Sequence, residues 1–253
     1  MRADDPAFVR EQYATEAGLA ARASIYGGDG TDARDIVLEE LRRARPERLL
    51  EVGCGFGELA ERISQELGCA VIAIDQSERM VALARERGID AQVGDVQSLD
   101  FRDADFDAVV AAWMLYHVPD LDLALGECAR VLRPGGTLVA VTNSADDLAE
   151  LWGLVGRDLS VRLLTFRSET GEVALRRRFA EVVRHDVAWD VRFEDQGAVR
   201  RYVGSSAMGC GFVDAVPTIE EPFVARKLVS VFAATKARAD TPGGRARPEP
   251  RRA

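Results

Sequence analysis

The sequence has few of the residues that build metal centres and disulfide frameworks. It contains only two histidines, His117 and His185, and four cysteines that form no Cys-x-x-Cys pair. We therefore expect no metal site and no structural disulfides. Residues 1–6 lack the apolar core that a signal peptide has, and no apolar run approaches the ~18 residues of a membrane span. These absences lead us to expect a cytoplasmic protein that does not bind a membrane.

Basic residues are outnumbered by acidic ones, which gives a formal net charge of −9. An acidic surface disfavours nucleic acid as the main partner, because phosphate backbones need basic surfaces. The 253 residues, 47% of them hydrophobic, suffice for one α/β domain with a modest cap. The composition leaves the oligomeric state open, a homo-oligomer included.

Short apolar runs alternate with amphipathic stretches through the middle of the chain. The pattern predicts strands at 49–52, 70–74, 91–93, 106–112 and 137–142, with helices at 57–67, 78–87 and 121–132 between them. Further on it predicts helices at 146–164, 172–179 and 195–202 and strands at 181–193 and 228–235. Regular alternation of this kind is typical of a doubly wound, mostly parallel sheet with helices on both faces.

The sharpest local feature is the glycine-rich segment 51–57, Glu-Val-Gly-Cys-Gly-Phe-Gly, at the end of the first predicted strand. Glycines on alternate positions allow a tight turn and a close approach of ligand to backbone. Dinucleotide-binding loops usually read GxGxxG, whereas this loop reads GxGxG. Glu51 and Glu58 also place carboxylates where a pyrophosphate would need positive charge. A net cationic cofactor such as S-adenosylmethionine suits the loop better.

Two further carboxylates end the next two predicted strands. Asp75 follows the second strand, where it could accept hydrogen bonds from both hydroxyls of a ribose. We expect Ser77 to cap the following helix and so to leave Asp75 available. Asp95 ends the third strand, where it could accept from an adenine amino group while Val96 supplies an apolar face.

The order of these motifs resembles that of class I S-adenosylmethionine-dependent methyltransferases. The resemblance covers residues 45–143 and includes the glycine loop, Asp75, the segment 94–96, the strand at 106–110 and the segment 130–136. It implies a seven-stranded sheet whose last strand is antiparallel. It also implies an N-terminal helical cap at 1–44 and a methyltransferase domain with substrate-side elements at 45–238. The composition of residues 239–253, rich in proline, glycine and arginine, predicts a disordered tail.

The resemblance further implies where each part of S-adenosylmethionine binds. The glycine loop would hold the methionine moiety, and the stretch 111–117 would face the sulfonium and a small-molecule methyl acceptor. Tyr13 and Arg22 in the cap would reach the cofactor carboxylate. The cofactor-binding residues that we predict are Tyr13, Arg22, Glu51, Gly53, Cys54, Gly55, Gly57, Asp75, Gln76, Met80, Asp95, Val96, Ala111 and Trp113.

Methyl transfer requires the protein mainly to align the acceptor and exclude water. A base is needed only if the acceptor arrives protonated, and His117 is the candidate near the site mouth. His117 could instead hold its loop by hydrogen bonding, and we interpret His185 as a surface or structural residue. Tyr116 and Trp152 are candidate substrate-binding residues, although core packing is a common role for such aromatics.

Three functions remain open from the residues alone. The first is methyl transfer to nitrogen or oxygen of a small molecule, as in natural-product tailoring, for instance on an amino sugar. The second is an NAD-dependent oxidoreductase on a similar fold, and the third is a binding module without catalysis. Binding of S-adenosylmethionine rather than NAD would distinguish a methyltransferase from an oxidoreductase. Turnover of an acceptor would distinguish a methyltransferase from a binding module.

Overall fold

The computed structural model describes residues 32–157, 165–205 and 209–238. Its centre is one sheet of seven strands. These are β1 (Arg48–Val52), β2 (Ala70–Asp75), β3 (Asp90–Val93), β4 (Phe106–Ala112), β5 (Leu132–Asn143), β6 (Glu181–Phe193) and β7 (Phe223–Thr235). The strand order is β3-β2-β1-β4-β5-β7-β6. Strands β1 to β5 pair in parallel, and β7 runs antiparallel to both of its neighbours, so the predicted fold class is confirmed.

Helices connect the strands and cover the sheet. The helices of the described residues are α1 (Ala33–Ala44), α2 (Glu58–Leu67), α3 (Glu78–Glu86), α4 (Leu121–Val131), α5 (Ala149–Leu154), α6 (Gly171–Leu175) and α7 (Gln196–Gly204), with 3-10 turns at Leu115–His117 and Cys210–Ala215. Side-chain oxygens of Ser77, Asp120 and Asp195 accept backbone hydrogen bonds at the starts of α3, α4 and α7. These caps satisfy N–H groups that the helices themselves leave unpaired.

The sequence of strand β4 is continuously apolar because both faces of the strand are buried. Ala108 and Val110 belong to the core on the face covered by α1 and α2, whereas Val109 and Ala111 belong to the core under α4. Successive side chains of a strand point to opposite faces, and both faces of this strand are covered by helices. The core therefore consists of two layers separated by the sheet.

The chain direction places the site at one edge of this sheet. The order reverses between β1 and β4, and ligands of open parallel sheets bind at the carboxyl ends of the strands at such a switch point. The antiparallel β7 pairs Val229 with Asn143, the last residue of β5. The residues of β7 before Val229 therefore extend beyond the end of β5, on the same side as the glycine loop.

Several predicted elements differ in extent from the observed ones. The helix predicted at 146–164 begins only at Ala149, because Leu148 adopts a left-handed backbone with φ of 55°; residues 158–164 of that prediction lie outside the described residues. The helix predicted at 172–179 ends at Leu175. Strand β5 starts before the predicted residue 137, because Gly135 and Gly136 form backbone hydrogen bonds with Lys236.

The predicted cap and tail fall largely outside the described residues, as do Tyr13 and Arg22. The described part of the predicted cap is α1, which buries Ala33, Val37 and Leu41 against the sheet. No helix in the described ranges is long and apolar enough to cross a membrane.

Candidate functional site

The glycine loop between β1 and α2 has the backbone that its sequence predicts. Gly53, Gly55 and Gly57 have φ values of 68°, 54° and 83°, a region that residues with a Cβ avoid. A Cβ added to Gly53 would lie 2.7 Å from the Cβ of Met114. The loop therefore lies directly against the segment that follows β4, and only glycine fits at this contact.

Glu51 is the most unusual charged residue of the site. Its side chain is 2% exposed, and its Oε2 atom has no hydrogen-bond partner among the described residues. The backbone N–H of Ala60 donates to the carboxylate. Burial, together with the negative charge of nearby Asp75, raises the pKa of Glu51 to about 8. A buried acceptor without a partner is costly, which indicates that a donor from outside these residues completes it.

Asp75 ties the glycine loop to the end of β2. Its Oδ2 accepts from the backbone N–H of Gly55 at 2.9 Å, and its Oδ1 accepts from that of Ser77 at 2.9 Å. Ser77 caps α3 as predicted, with its Oγ accepting from Met80 N at 3.3 Å. Asp75 is nevertheless engaged by backbone donors, contrary to the expectation that capping by Ser77 leaves it available. Each carboxylate oxygen retains a further lone pair for a ligand hydroxyl.

A cavity of about 240 Å³ opens beside these groups at the carboxyl edge of the sheet. Ten predicted site residues lie in its wall: Glu51, Gly53, Cys54, Gly55, Asp75, Gln76, Val96, Trp113, Tyr116 and His117. The wall also includes Arg34, Phe56, Glu58, Leu59, Ile74, Gly94, Ala112, Met114, Val118, Asn143, Tyr202 and Lys227. The acids on β1, β2 and α2 lie on one side of the cavity, and the side formed by β5 and β7 holds an amide and a lysine.

That second side is a buried polar network. Asn143 Oδ1 accepts from Trp113 Nε1 at 3.2 Å and from Lys227 Nζ at 3.3 Å. Lys227 also donates to Asp147 Oδ2 at 2.7 Å, with both side chains nearly fully buried. Asp147 Oδ1 accepts from the backbone N–H of Leu228. The network fixes the side chain of Trp113, whose φ of 54° is a strained value for a residue with a Cβ.

His117 lies in the 3-10 turn after β4. Its ring packs against Tyr116 with centroids 4.5 Å apart, and its backbone N–H donates to Met114 O at 2.9 Å. Both rings contribute to the cavity wall. The structure therefore places the candidate base and one candidate substrate residue beside the same space as the glycine loop.

Four predicted cofactor residues, Gly57, Met80, Asp95 and Ala111, lie outside the cavity wall. Met80 and Ala111 are fully buried, Met80 within α3 and Ala111 in the core under α4. Gly57 lies under α3, where an added Cβ would approach Ala84 at 2.9 Å. Asp95 turns toward Gln97, whose backbone N–H donates to its Oδ1 at 2.9 Å.

Trp152 also lies outside the wall. It is 4% exposed and belongs to the core under α1 and α5, with the guanidinium of Arg157 4.6 Å from its ring centroid. Its role in substrate binding therefore stays a prediction that the described cavity wall does not support. His185 of β6 pairs with Glu40 of α1, Nε2 to Oε1 at 2.9 Å, and neither residue lines the cavity. The described residues include no cluster of three metal-ligating side chains.

Sequence reasoning missed Asn143 and Lys227. Asn143 ends a parallel strand, as Asp75 does, so the rule that selected Asp75 could have selected it. Lys227 precedes the predicted strand 228–235 by one residue, and its only signal is a lysine beside a strongly apolar run. Arg34 was missed as well; its guanidinium donates to Asp32 and Glu58.

Residues 50–140 match the family model described as a methyltransferase domain. A ubiquinone biosynthesis O-methyltransferase of Xanthomonas oryzae pv. oryzae is 40% identical over 124 residues, which cover 46% of this chain and 52% of that protein. The chain thus spans about half the length of this curated relative.

Two solved structures share the fold at low identity. The 4+2 cyclase SpnF superposes with a TM-score of 0.60 at 19% identity, covering 94% of this chain and 97% of that chain. The phosphoethanolamine N-methyltransferase 2 of Haemonchus contortus, in complex with phosphomonomethylethanolamine and S-adenosylhomocysteine, gives a TM-score of 0.60 at 18% identity, covering 94% of this chain and 61% of that chain.

The family match covers the part of the chain in which the glycine loop and both carboxylates lie. The sheet order and the antiparallel β7 extend the same architecture beyond it. Residues 50–140 thus belong to a methyltransferase domain, and the sheet around them has the fold of class I S-adenosylmethionine-dependent methyltransferases.

Proposed function

We propose that the chain binds S-adenosylmethionine in this cavity and that its methyl group is transferred to an oxygen atom of a small-molecule acceptor. The observation that carries the proposal is the pair of buried carboxylates around the glycine loop. Glu51 presents an oxygen without a partner among the described residues, and Asp75 fixes the loop beside it. Such a pair attracts a cation.

The donor set fits the cofactor. The aminium group of a methionine moiety supplies both the positive charge and the N–H donors that Glu51 needs. A dinucleotide would bring two phosphate charges toward the carboxylates of Glu58 and Asp75, which would repel them. The electrostatics of the wall therefore favour S-adenosylmethionine over the NAD alternative.

Each side of the cavity has a distinct part in binding. Asp75 would accept from the ribose hydroxyls through its remaining lone pairs, beside Gln76. Ile74 and Val96 offer the apolar surface that an adenine ring requires. Gly53 lets the loop lie directly against Met114 at the cavity wall.

When bound, S-adenosylmethionine supplies a methyl group activated by its sulfonium. The chain's residues then orient the acceptor and exclude water. His117, in the cavity wall, would take the proton of an acceptor hydroxyl and pass it to solvent. Tyr116 holds the His117 ring by their edge contact.

The choice of oxygen rests on the relatives. The Xanthomonas protein is named for O-methylation, and the similarity covers about half of its length. The comparisons give no support to the more specific hypothesis of natural-product tailoring. The nematode N-methyltransferase and the cyclase share the fold alone, and their reactions do not bear on this chain.

Calorimetric titration tests the cofactor assignment. We expect heat of binding with S-adenosylmethionine and with S-adenosylhomocysteine, and none with NAD. Binding of NAD without binding of either sulfur compound would overturn the proposal. Formation of S-adenosylhomocysteine with a panel of phenols, carboxylic acids and amines then separates an enzyme from a binding module, and a preference for amines would refute the oxygen assignment.

A further inference from the structure

The sequence contains only two lysines, Lys227 and Lys236, and one of them is buried in the cavity wall. The side chain of Lys227 is 2% exposed. Burying an ammonium group is expensive, so a buried lysine is found where its charge is paired or used. All other basic side chains are arginines, which bury more readily as ion pairs.

The position of Lys227 relative to the acids is informative. Glu51 is the last residue but one of β1, and Asp75 ends β2. Lys227 lies on β7 past the end of β5, which is on the other side of β4 in the sheet. Lys227 lines the cavity but Asp147, its ion-pair partner, does not. The cavity therefore has an acidic side and a cationic side, with Trp113 and Asn143 between them.

The Lys227 ammonium is held in place before any ligand arrives. Asp147 and Asn143 accept hydrogen bonds from its Nζ at 2.7 Å and 3.3 Å. Asp147 is in turn fixed by the backbone N–H of Leu228 at 2.9 Å. A positioned donor of this kind stabilises negative charge more strongly than a mobile surface lysine, because no reorganisation is needed.

From this arrangement we propose that Lys227 binds the acceptor through an ionised oxygen, so that the acceptor is an acidic hydroxyl compound of the phenol class. This inference rests on the proposed function and specifies its acceptor. The positive charge of Lys227 favours loss of the acceptor proton, which passes through His117 to solvent. The oxygen keeps the electron pair and forms the new bond to the methyl carbon as the carbon–sulfur bond breaks. The products are a methyl ether and a neutral thioether.

The test uses 4-nitrophenol, whose phenolate form absorbs visible light. The full chain is titrated with the dye with and without saturating S-adenosylhomocysteine, so that the Lys227 site is measured even if the nucleoside does not bind. We expect the wild type to bind the phenolate preferentially and to lower the apparent pKa of the bound dye. Lack of any preference for the ionised dye would overturn the proposal.

Variants of Lys227 and Asp147 then distinguish a role of Lys227 in phenolate binding from a purely structural role. Lys227→Met alone would leave Asp147 buried without its partner, so the neutral pair Lys227→Met with Asp147→Asn keeps the site folded and lets Oδ1 still accept from Leu228. We expect the pair to weaken phenolate binding by about tenfold or more, as loss of a charge-assisted contact does. Asp147→Asn alone should strengthen it, because the competing negative charge is removed.

The matched control is Lys236→Met, which removes the other lysine. Its Nζ donates to Leu132 O at 2.6 Å at the opposite end of β5, so phenolate binding should match the wild type. If the neutral pair binds the dye as tightly as the wild type, or if Asp147→Asn weakens binding as much as the pair does, Lys227 is a structural ion-pair residue. Absence of heat with S-adenosylhomocysteine in the wild type would count against the proposed function alone.

Discussion

Replacement of Glu51 by glutamine should change the stability of the protein in opposite directions at low and high pH. The folded state holds Glu51 with a pKa of about 8, against an ordinary value of 4.5. Between these values the folded protein retains a proton that the unfolded chain has lost. Unfolding then releases a proton, so Glu51 lowers the free energy of unfolding as the pH rises.

The size of the effect follows from the pKa difference. One pKa unit corresponds to 1.36 kcal/mol, so ionisable Glu51 costs about 4 kcal/mol of stability at pH 8 and less than about 1 kcal/mol at pH 5. Glutamine removes this cost and can still accept from Ala60. Its amide N–H groups would lack partners, which costs about 1–3 kcal/mol at any pH. Glu51→Gln should therefore stabilise the protein by about 2 kcal/mol at pH 8 and destabilise it by about 1 kcal/mol at pH 5.

Urea unfolding of the wild type and the variant at pH 5, 6, 7 and 8 measures this difference. Glu127→Gln is a suitable control, because the hydrogen bond from Arg130 lowers the pKa of Glu127. Ionised Glu127 stabilises the folded protein above its unfolded pKa, and this stabilisation is lost as the pH falls. Glu127→Gln should therefore lower the free energy of unfolding more at pH 8 than at low pH. A free-energy difference for Glu51→Gln that does not change between pH 5 and pH 8 would refute the reasoning.

Glu51→Gln should be more stable at pH 8 but should bind the cofactor more weakly, and three other substitutions test further residues of the site. Glu51→Gln should bind S-adenosylmethionine about tenfold or more weakly, by calorimetry, through loss of one charge-assisted hydrogen bond. Asp75→Ala should weaken binding by about 2 kcal/mol or more for the same reason, and unchanged affinity would remove Asp75 from the site. His117→Gln should leave cofactor affinity unchanged but slow turnover most at pH values where the acceptor hydroxyl is largely protonated. A pH–rate profile equal to that of the wild type would show that His117 has a structural role. Gly53→Ala should lose cofactor binding and at least about 1 kcal/mol of stability in a thermal melt, because the added Cβ meets Met114 at 2.7 Å.

Most of the fold was readable from the sequence because its signals are local. A strand buried on both faces, such as β4, must be apolar throughout, and a helix that begins at Ser77 carries its cap in the sequence. The ends of elements were less predictable, because they depend on partners far along the chain. Strand β5 extends back to Leu132 because Leu132 pairs with Phe106 of β4 and because Lys236, a hundred residues later, pairs with the Pro-Gly-Gly segment of β5.

The two sides of the cavity differed in how far they could be predicted, for a reason that lies in the sheet topology. The cofactor side is built by strands that are consecutive in the chain, so residues such as Glu51 and Asp75 appear in order, each at the end of a strand. The other side depends on β7 running antiparallel and past the end of β5, which brings Lys227 within 3.3 Å of Asn143 from 84 positions away. No local pattern encodes that contact. The side that we propose for the cofactor can therefore be predicted from the sequence. The side that we propose for the acceptor depends on the register of a single strand pair, where a shift of one residue would turn Lys227 to the opposite face of the sheet.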